Sequence, residues 1–199
     1  MSYTKFVLAT TNRGKLRELR EMLTPLSLEL MSPDDLGIEL DVDESGATFE
    51  DNARLKARAY CAATGLPAIA DDSGLCVDAM NGAPGVYSAR FGGLWMNPHE
   101  HNIYLLGRLD GVTDRAAHFA CAIVCAFPDG SEITAAGECR GEIAAQPRGE
   151  FGFGYDPIFV VSALDRTMAE LNPEEKHAIS HRGNALRAFI AKLTDYKEL

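Results

Sequence analysis

The sequence predicts an α/β fold: a mixed twisted sheet with flanking helices. Three observations lead there. Short apolar runs of strand character alternate with helix-period patterns along the chain. One pair of runs, Ala117–Phe127 and Glu132–Glu142, reads as a hairpin closed by Pro128-Asp-Gly130, so the sheet is mixed rather than purely parallel. The 199 residues suit one domain, or two lobes sharing one core. No repeat or linker-like stretch divides them, so 1–199 is taken as a single domain.

The elements follow in order. Tyr3 to Ala9 is a strand that ends in the polar turn Thr10–Gly14. Leu16, Leu19 and Leu23 then recur on one helical face, and Pro25 stops that helix. Ser27–Met31 is a weak second strand, followed by an acidic loop from Asp34 to Gly46. Thr48-Phe-Glu-Asp51 has the form of a capping box, in which hydroxyl and acid satisfy the first amides of a helix. That helix is alanine-rich, carries Lys56 and ends at Gly65-Leu-Pro67. Ala68–Val77 is two apolar stretches interrupted by Asp71-Asp-Ser-Gly74, and a glycine-rich loop spans Asn81–Gly93. A helix over about Pro98–Leu109 precedes the hairpin. Gly149–Pro157 leads into the strand Ile158–Val161, and the last helix, from about His181 to Leu193, presents Leu186, Phe189, Ile190 and Leu193.

Composition excludes several classes. Hydrophobic residues make up 46% and charged residues 24%, which is globular rather than disordered. A net charge of −10 speaks against a nucleic-acid polymer and against an anionic membrane surface as partner. No apolar run approaches the ~18 residues of a membrane span. The segment Met-Ser-Tyr-Thr-Lys lacks the apolar core of a signal peptide. Of the five cysteines, Cys121 and Cys125 lie four apart in an apolar strand, as small buried residues do rather than as metal ligands. Reduced thiols and a cytoplasmic location follow. Trp95 reads as packing, and His99, His101 and His118 lack convincing partners.

Four segments carry candidate chemistry, each beside a plainer reading. Thr10-Thr-Asn-Arg-Gly-Lys15 joins strand to helix, where free amides and the helix dipole favour an anion. It is not a Walker A loop, and taken alone an ordinary turn capped by Asn12 is the better reading. Asp71 and Asp72 are adjacent on a strand and so point to opposite faces, one into a site and one to another bond. Against this stands a solvated Asp-Ser-Gly turn. Asp43 and Glu44 could join them as oxygen ligands of magnesium. In Gly152-Phe-Gly-Tyr-Asp156, Phe153 and Tyr155 could stack on a planar base, or pack in the core. Lys176-His-Ala-Ile-Ser-His-Arg182 offers cationic donors for phosphate or base carbonyls, at a helix start where cations oppose the dipole. A nucleophile elbow and a dinucleotide fingerprint are both missing.

Six segments in this order resemble the inosine triphosphate pyrophosphatase family: Thr10-x-Asn12-x-Gly14-Lys15-x-x-Glu18; Thr48-Phe49-x-x-Asn52-Ala53 with Lys56-Ala57; Ala70–Leu75; Gly82–Arg90; Gly152–Pro157; and Ile179–Gly183. Asp43 stands where that family commonly has glutamate, and Ser45 where it has threonine. The resemblance implies a two-lobed α/β protein with its site in the cleft between lobes, acting as a homodimer. It implies magnesium-dependent hydrolysis of ITP, dITP and XTP to the monophosphate and pyrophosphate. By position, Thr10, Thr11, Asn12, Arg13, Gly14 and Lys15 would hold the triphosphate, with Lys56 a further phosphate contact. Asp72 would be proton acceptor and metal ligand, with Asp43 or Glu44 a second carboxylate at the metal and Ser73 a substrate contact. Phe153, Gly154, Tyr155, Asp156, Lys176, His181 and Arg182 would hold the nucleotide and read its base. Two competing expectations are a catalytically silent nucleotide sensor, and a pyrophosphatase for other modified or canonical bases.

Overall fold

Four strands in the first two-thirds of the chain set the frame, in a computed structural model that describes residues 3–198. Met1, Ser2 and Leu199 lie outside the described residues, and with them the first two residues of the segment judged against a signal peptide. Strand β1 (Lys5–Leu8) pairs in parallel with β2 (Glu29–Met31) and with β3 (Ala68–Val77). Strands β4 (Ala116–Ala126) and β5 (Glu132–Ile143) form the expected hairpin. Antiparallel pairs then link β5 to β6 (Phe159–Val161), and β6 to β7 (Arg166–Thr167). Hydrogen-bonded neighbours run β2-β1-β3-β4-β5-β6-β7, so the sheet is open and mixed, as the sequence predicts.

The helices are α1 (Arg13–Leu23), α2 (Pro33–Leu36), α3 (Phe49–Thr64), α4 (Pro98–Arg108), α5 (Pro173–Ile179) and α6 (His181–Glu198). The capping box of α3 forms as expected: Thr48 Oγ1 accepts from Asp51 N, and Asp51 Oδ2 accepts from Thr48 N. Three features differ from the expectation. The acidic loop contains the turn of helix α2, capped by Ser32. Residues 68–77 form one continuous strand rather than two interrupted stretches. Lys176 lies in the last turn of α5, where a cation favours the dipole, so only His181 and Arg182 stand at a helix start.

The chain divides into two compact units: residues up to Asp72 with Cys121–Gly137 and Arg182 onward, and Ser73–Ala120 with Glu138–His181. In the first unit, β1 shows why both sheet faces are covered. Phe6 and Leu8 join Leu19 and Leu23 of α1 and Leu186, Phe189 and Leu193 of α6. Val7 and Ala9 point the other way, onto Ala53, Ala57 and Tyr60 of α3. Alanines on α3 let its backbone approach the sheet closely, and a larger residue there would overpack by about 1–3 kcal/mol. The second unit gathers Leu75, Leu105, Phe119, Phe159 and Met168 around its own core. Cys121 and Cys125 are buried among apolar residues, and all five cysteines are free thiols. Trp95 departs from expectation: it is 97% exposed, beside exposed Leu94, and packs in no core. Among the described residues no helix is long and apolar enough to cross a membrane.

Candidate active site

Strand β3 places two buried carboxylates side by side, and the alternation of the strand sends them to different partners. Asp71 is wholly buried. Its Oδ2 accepts from Arg182 Nε at 3.1 Å and Nη2 at 2.9 Å, and Lys15 Nζ lies 3.3 Å away. The third arm of the guanidinium donates to Glu18 Oε2 at 2.6 Å, so Arg182 joins α6 to α1 and β3. Burial alone would raise the Asp71 carboxyl; Lys15, Arg182 and Lys56 outweigh it and hold the group well below the usual carboxylate range. The same carboxylates push the Arg182 guanidinium further up against the effect of burial.

Asp72, 7% exposed, faces α3. Its Oδ2 accepts from Asn52 Nδ2 at 3.3 Å and its Oδ1 from Lys56 Nζ at 3.2 Å. Asn52 and Lys56 are four apart on one helix, hence on one face. Lys56 Nζ also donates to Glu44 Oε2 at 3.0 Å, so one ammonium bridges Glu44 and Asp72. Here burial dominates: the Asp72 carboxyl is raised, with Lys56 and Lys15 pulling against the shift and Glu44 adding to it. Lys56 moves up as well, since Asp72, Asp71 and Glu44 together exceed the effect of its own burial. The solvated-turn reading of the two aspartates is thereby excluded.

The turn before α1 takes the plainer form expected of it. Asn12 Oδ1 accepts from Gly14 N at 2.9 Å and Lys15 N at 3.1 Å, while Thr11, Asn12 and Arg13 are exposed. Thr10 is buried and accepts from Asn12 N.

In the second unit the glycine-rich segment is organised by Asp156. Its buried carboxylate accepts from Phe153 N at 2.8 Å and Lys176 Nζ at 2.6 Å. Gly152 makes this possible. Its φ is +76°, and a Cβ there would lie 2.1 Å from Asp156 Oδ2. Lys176 Nζ sits 4.8 Å from the centre of the Phe153 ring, a cation–π arrangement. Phe153 remains partly exposed, whereas Tyr155 is buried and its hydroxyl donates to Ser88 O at 2.9 Å. Phe151, Phe153 and Gly154 line a cavity of about 400 Å3 with Pro98, His99 and Asn102 of the α4 start. His181 is buried and stacks on Phe119, centroids 4.6 Å apart. Ser73 follows Asp72 directly, as the first residue of this unit.

The structure thus brings together Lys15, Asp71 and Arg182, then Glu44, Lys56 and Asp72, and separately Phe153, Asp156 and Lys176. Among the described residues no group of three or more acidic, histidine or cysteine side chains is gathered as a cation site. The donor set nevertheless suits a hard cation. Glu44 and Asp72 already share one positive charge at Lys56, and magnesium uses few protein carboxylates, completing its shell with water and phosphate. Sequence reasoning gave no role to Asn52, Glu18 or Phe119. An asparagine inside an alanine-rich helix, one turn before Lys56, was the available signal for the first, since its helix propensity is poor.

A family model described as the Ham1 family matches residues 6–192. The chain is 50% identical over 195 residues to the dITP/XTP pyrophosphatase of Yersinia pestis, covering 96% of this chain and 98% of that protein. It is 48% identical over 192 residues to the dITP/XTP pyrophosphatase of an Exiguobacterium species, with 96% and 98% covered. Among solved structures, the Ham1 protein of Staphylococcus aureus superposes with a TM-score of 0.87 at 42% identity, covering 97% of this chain and 100% of that one. With the family model matched across nearly the whole length, and relatives this similar end to end, the chain belongs to the Ham1 family.

Proposed function

We propose that this chain is a nucleoside triphosphate pyrophosphatase that hydrolyses non-canonical purine nucleotides (ITP, dITP and XTP) to the monophosphate and pyrophosphate. The observation that carries the mechanism is Asp72: buried, raised by that burial, and held at both oxygens. The names of the Yersinia and Exiguobacterium relatives support the substrate class.

In this reading a water attacks the α-phosphorus and Asp72 takes its proton. The bond from the α-phosphorus to the bridging oxygen breaks, and pyrophosphate leaves. General-base assistance of this kind is worth about 10²–10⁴-fold. Lys15 and Lys56, with the turn of Thr11, Asn12, Arg13 and Gly14 and the Thr10 hydroxyl, hold the triphosphate and stabilise charge on the leaving group. Magnesium is the cofactor of this reading, held by Asp72 with Glu44 or Asp43; when bound it neutralises phosphate charge and lowers the pKa of coordinated water. Phe153 stacks on the base, with Gly154 at its edge, Tyr155 packed behind and Asp156 fixing the loop. Lys176 and His181 supply donors toward the C6 carbonyl that distinguishes hypoxanthine and xanthine from adenine, while Arg182, bound to Asp71 and Glu18, steadies the strand that carries Asp72. Facing adenine's amino group instead leaves donors unpaired, at about 1–3 kcal/mol each. Ser73 contacts substrate beside the base catalyst.

Free thiols support a cytoplasmic enzyme. A homodimer is part of the proposal, and exposed Leu94 and Trp95 offer apolar surface for a second copy to cover. Concentration-dependent sedimentation checks that state: a single monomeric species at all concentrations overturns it. The activity is tested with magnesium and a panel of dITP, XTP, dATP and dGTP, reading pyrophosphate. Fast turnover of dITP and XTP with slow turnover of dATP and dGTP is expected. Equal turnover of all four overturns the specificity, and ITP binding without pyrophosphate release makes the chain a nucleotide sensor.

A further inference from the structure

We propose that Asn52 is a positioning residue: it fixes the head of Asp72 and ties it to the acidic loop through Gly46. The inference deepens the reading above and rests on Asp72 being the catalytic base.

Asn52 is 1% exposed, and both ends of its amide are used. Its Oδ1 accepts from Gly46 N at 2.8 Å, and its Nδ2 donates to Asp72 Oδ2 at 3.3 Å. A backbone N–H can only donate, so the Gly46 bond settles which way the amide points. The nitrogen must then face Asp72. Lys56, one turn later, takes the other oxygen, so the carboxylate is gripped at both corners from one helix face. A single contact would leave it free to rotate about its last bond.

Gly46 belongs to the same device. A Cβ there would lie 2.6 Å from Asp51 Cβ and 2.7 Å from Asn52 Oδ1, so only glycine brings this backbone so close to the first turn of α3. Two residues earlier is Glu44, which shares Lys56 with Asp72. The loop that carries Glu44 and the strand that carries Asp72 are therefore referenced to one amide. Displacing a reacting group by about 1 Å costs on the order of 10²-fold in rate, so a fixed carboxylate is worth an otherwise poor helix former at position 52.

The test is Asn52→Asp, which is isosteric and keeps the acceptor for Gly46 N while replacing the donor toward Asp72 with an oxygen. It is compared with Asp72→Asn and the double variant. Each is checked for fold by its thermal midpoint and for dITP affinity in EDTA by calorimetry. We expect Asn52→Asp to lower kcat for dITP with magnesium by about 10- to 100-fold. KM should stay within about threefold, metal-free dITP affinity should be unchanged, and no further loss should appear in the Asp72→Asn background. Wild-type kcat in Asn52→Asp with an inactive Asp72→Asn overturns the role of Asn52 and leaves the base in place. A loss that is fully additive with Asp72→Asn also overturns it, because the residue then acts elsewhere. An active Asp72→Asn instead overturns the catalytic reading itself. Should Asn52→Asp not fold, Gly46→Ala severs the other bond: a lower kcat at unchanged KM supports the tether, and an unchanged kcat in the folded variant overturns it.

Discussion

Asp71 and Asp72 are neighbours on one strand, both buried, and electrostatically opposite. Asp71 meets a full guanidinium and a lysine, and is held as a carboxylate far below its ordinary range. Asp72 meets a neutral amide and a lysine it shares with Glu44, so burial prevails and its carboxyl rises. Burial is common to both; the difference is how much positive charge is committed to each. A fully compensated carboxylate is a poor base and a good anchor, whereas an undercompensated one can take a proton. The β pleat creates this division by turning adjacent side chains to opposite faces.

The largest expected effect separates them by rate. Asp72→Asn should cut kcat by about 10²–10⁴-fold with little change in stability, since burial already disfavours the Asp72 charge and Lys56 keeps Glu44 as a partner. Steady-state kinetics and a thermal melt decide it. Asp71→Asn should do the reverse. Removing the anion leaves Arg182 buried with Glu18 as its principal remaining carboxylate, and breaking one side of a buried pair typically costs about 3–5 kcal/mol. Urea denaturation measures that loss. If Asp72→Asn instead unfolds the protein while Asp71→Asn only slows it, the contrast between anchor and base is wrong.

Much of this division was legible from residue order alone. The opposed faces of Asp71 and Asp72, the capping box at Thr48, the hairpin and the buried character of Cys121 and Cys125 all follow from spacings within a few residues and from one turn motif, which need no tertiary information. What escaped is non-local. Nothing between Glu18 and Arg182 announces that they meet across 164 positions. Asn52 sat in a quoted motif, yet its role depends on a loop backbone at Gly46 and a strand residue at Asp72. The short α5, opened by Pro173, places Lys176 in a last turn, which residue order near His181 does not announce. Residue type predicts packing for Trp95, and type alone does not fix exposure.

A smaller effect is expected in the second unit, where one carboxylate again organises a loop. Gly152→Ala would drive a methyl into Asp156 Oδ2 and strain a backbone held at φ +76°. Asp156 would lose its grip on Phe153 N and Lys176. We expect KM for dITP to rise by about tenfold, as for one lost charged hydrogen bond, with kcat changed less than in Asp72→Asn. A kcat defect equal to that of Asp72→Asn would place Asp156 beside the chemistry rather than the base.

The smallest effect uses Cys121 as a reporter on the anchor. Its thiol lies 4.0 Å from Asp71 Oδ2, and burial, reinforced by that carboxylate, pushes its pKa up to about 12. An ordinary thiol titrates near 8.5. Below that value the thiol is neutral in both folded and unfolded chains, and its contribution to stability is fully present. As pH rises past about 8.5 the unfolded chain releases the proton while the folded chain keeps it, so stability falls with each further unit. Cys125 is raised in the same way and Cys139 to about 11, so the wild-type slope between pH 8 and 9.5 is the sum of several thiols. Cys121→Ala should therefore flatten that slope slightly without abolishing it, whatever it does to absolute stability. Chemical denaturation at closely spaced pH values reads the slope directly. In Asp72→Asn the slope should match wild type, because Asp72 contributes least to the Cys121 shift among the charges around it. In Asp71→Asn the slope between pH 8 and 9.5 should persist, because burial keeps the folded thiol protonated there, and the loss of the anion should show as an earlier levelling off at higher pH. An Asp72→Asn curve that levels off as early as that of Asp71→Asn would mean the two carboxylates share one environment, and the distinction between them would have to be drawn elsewhere.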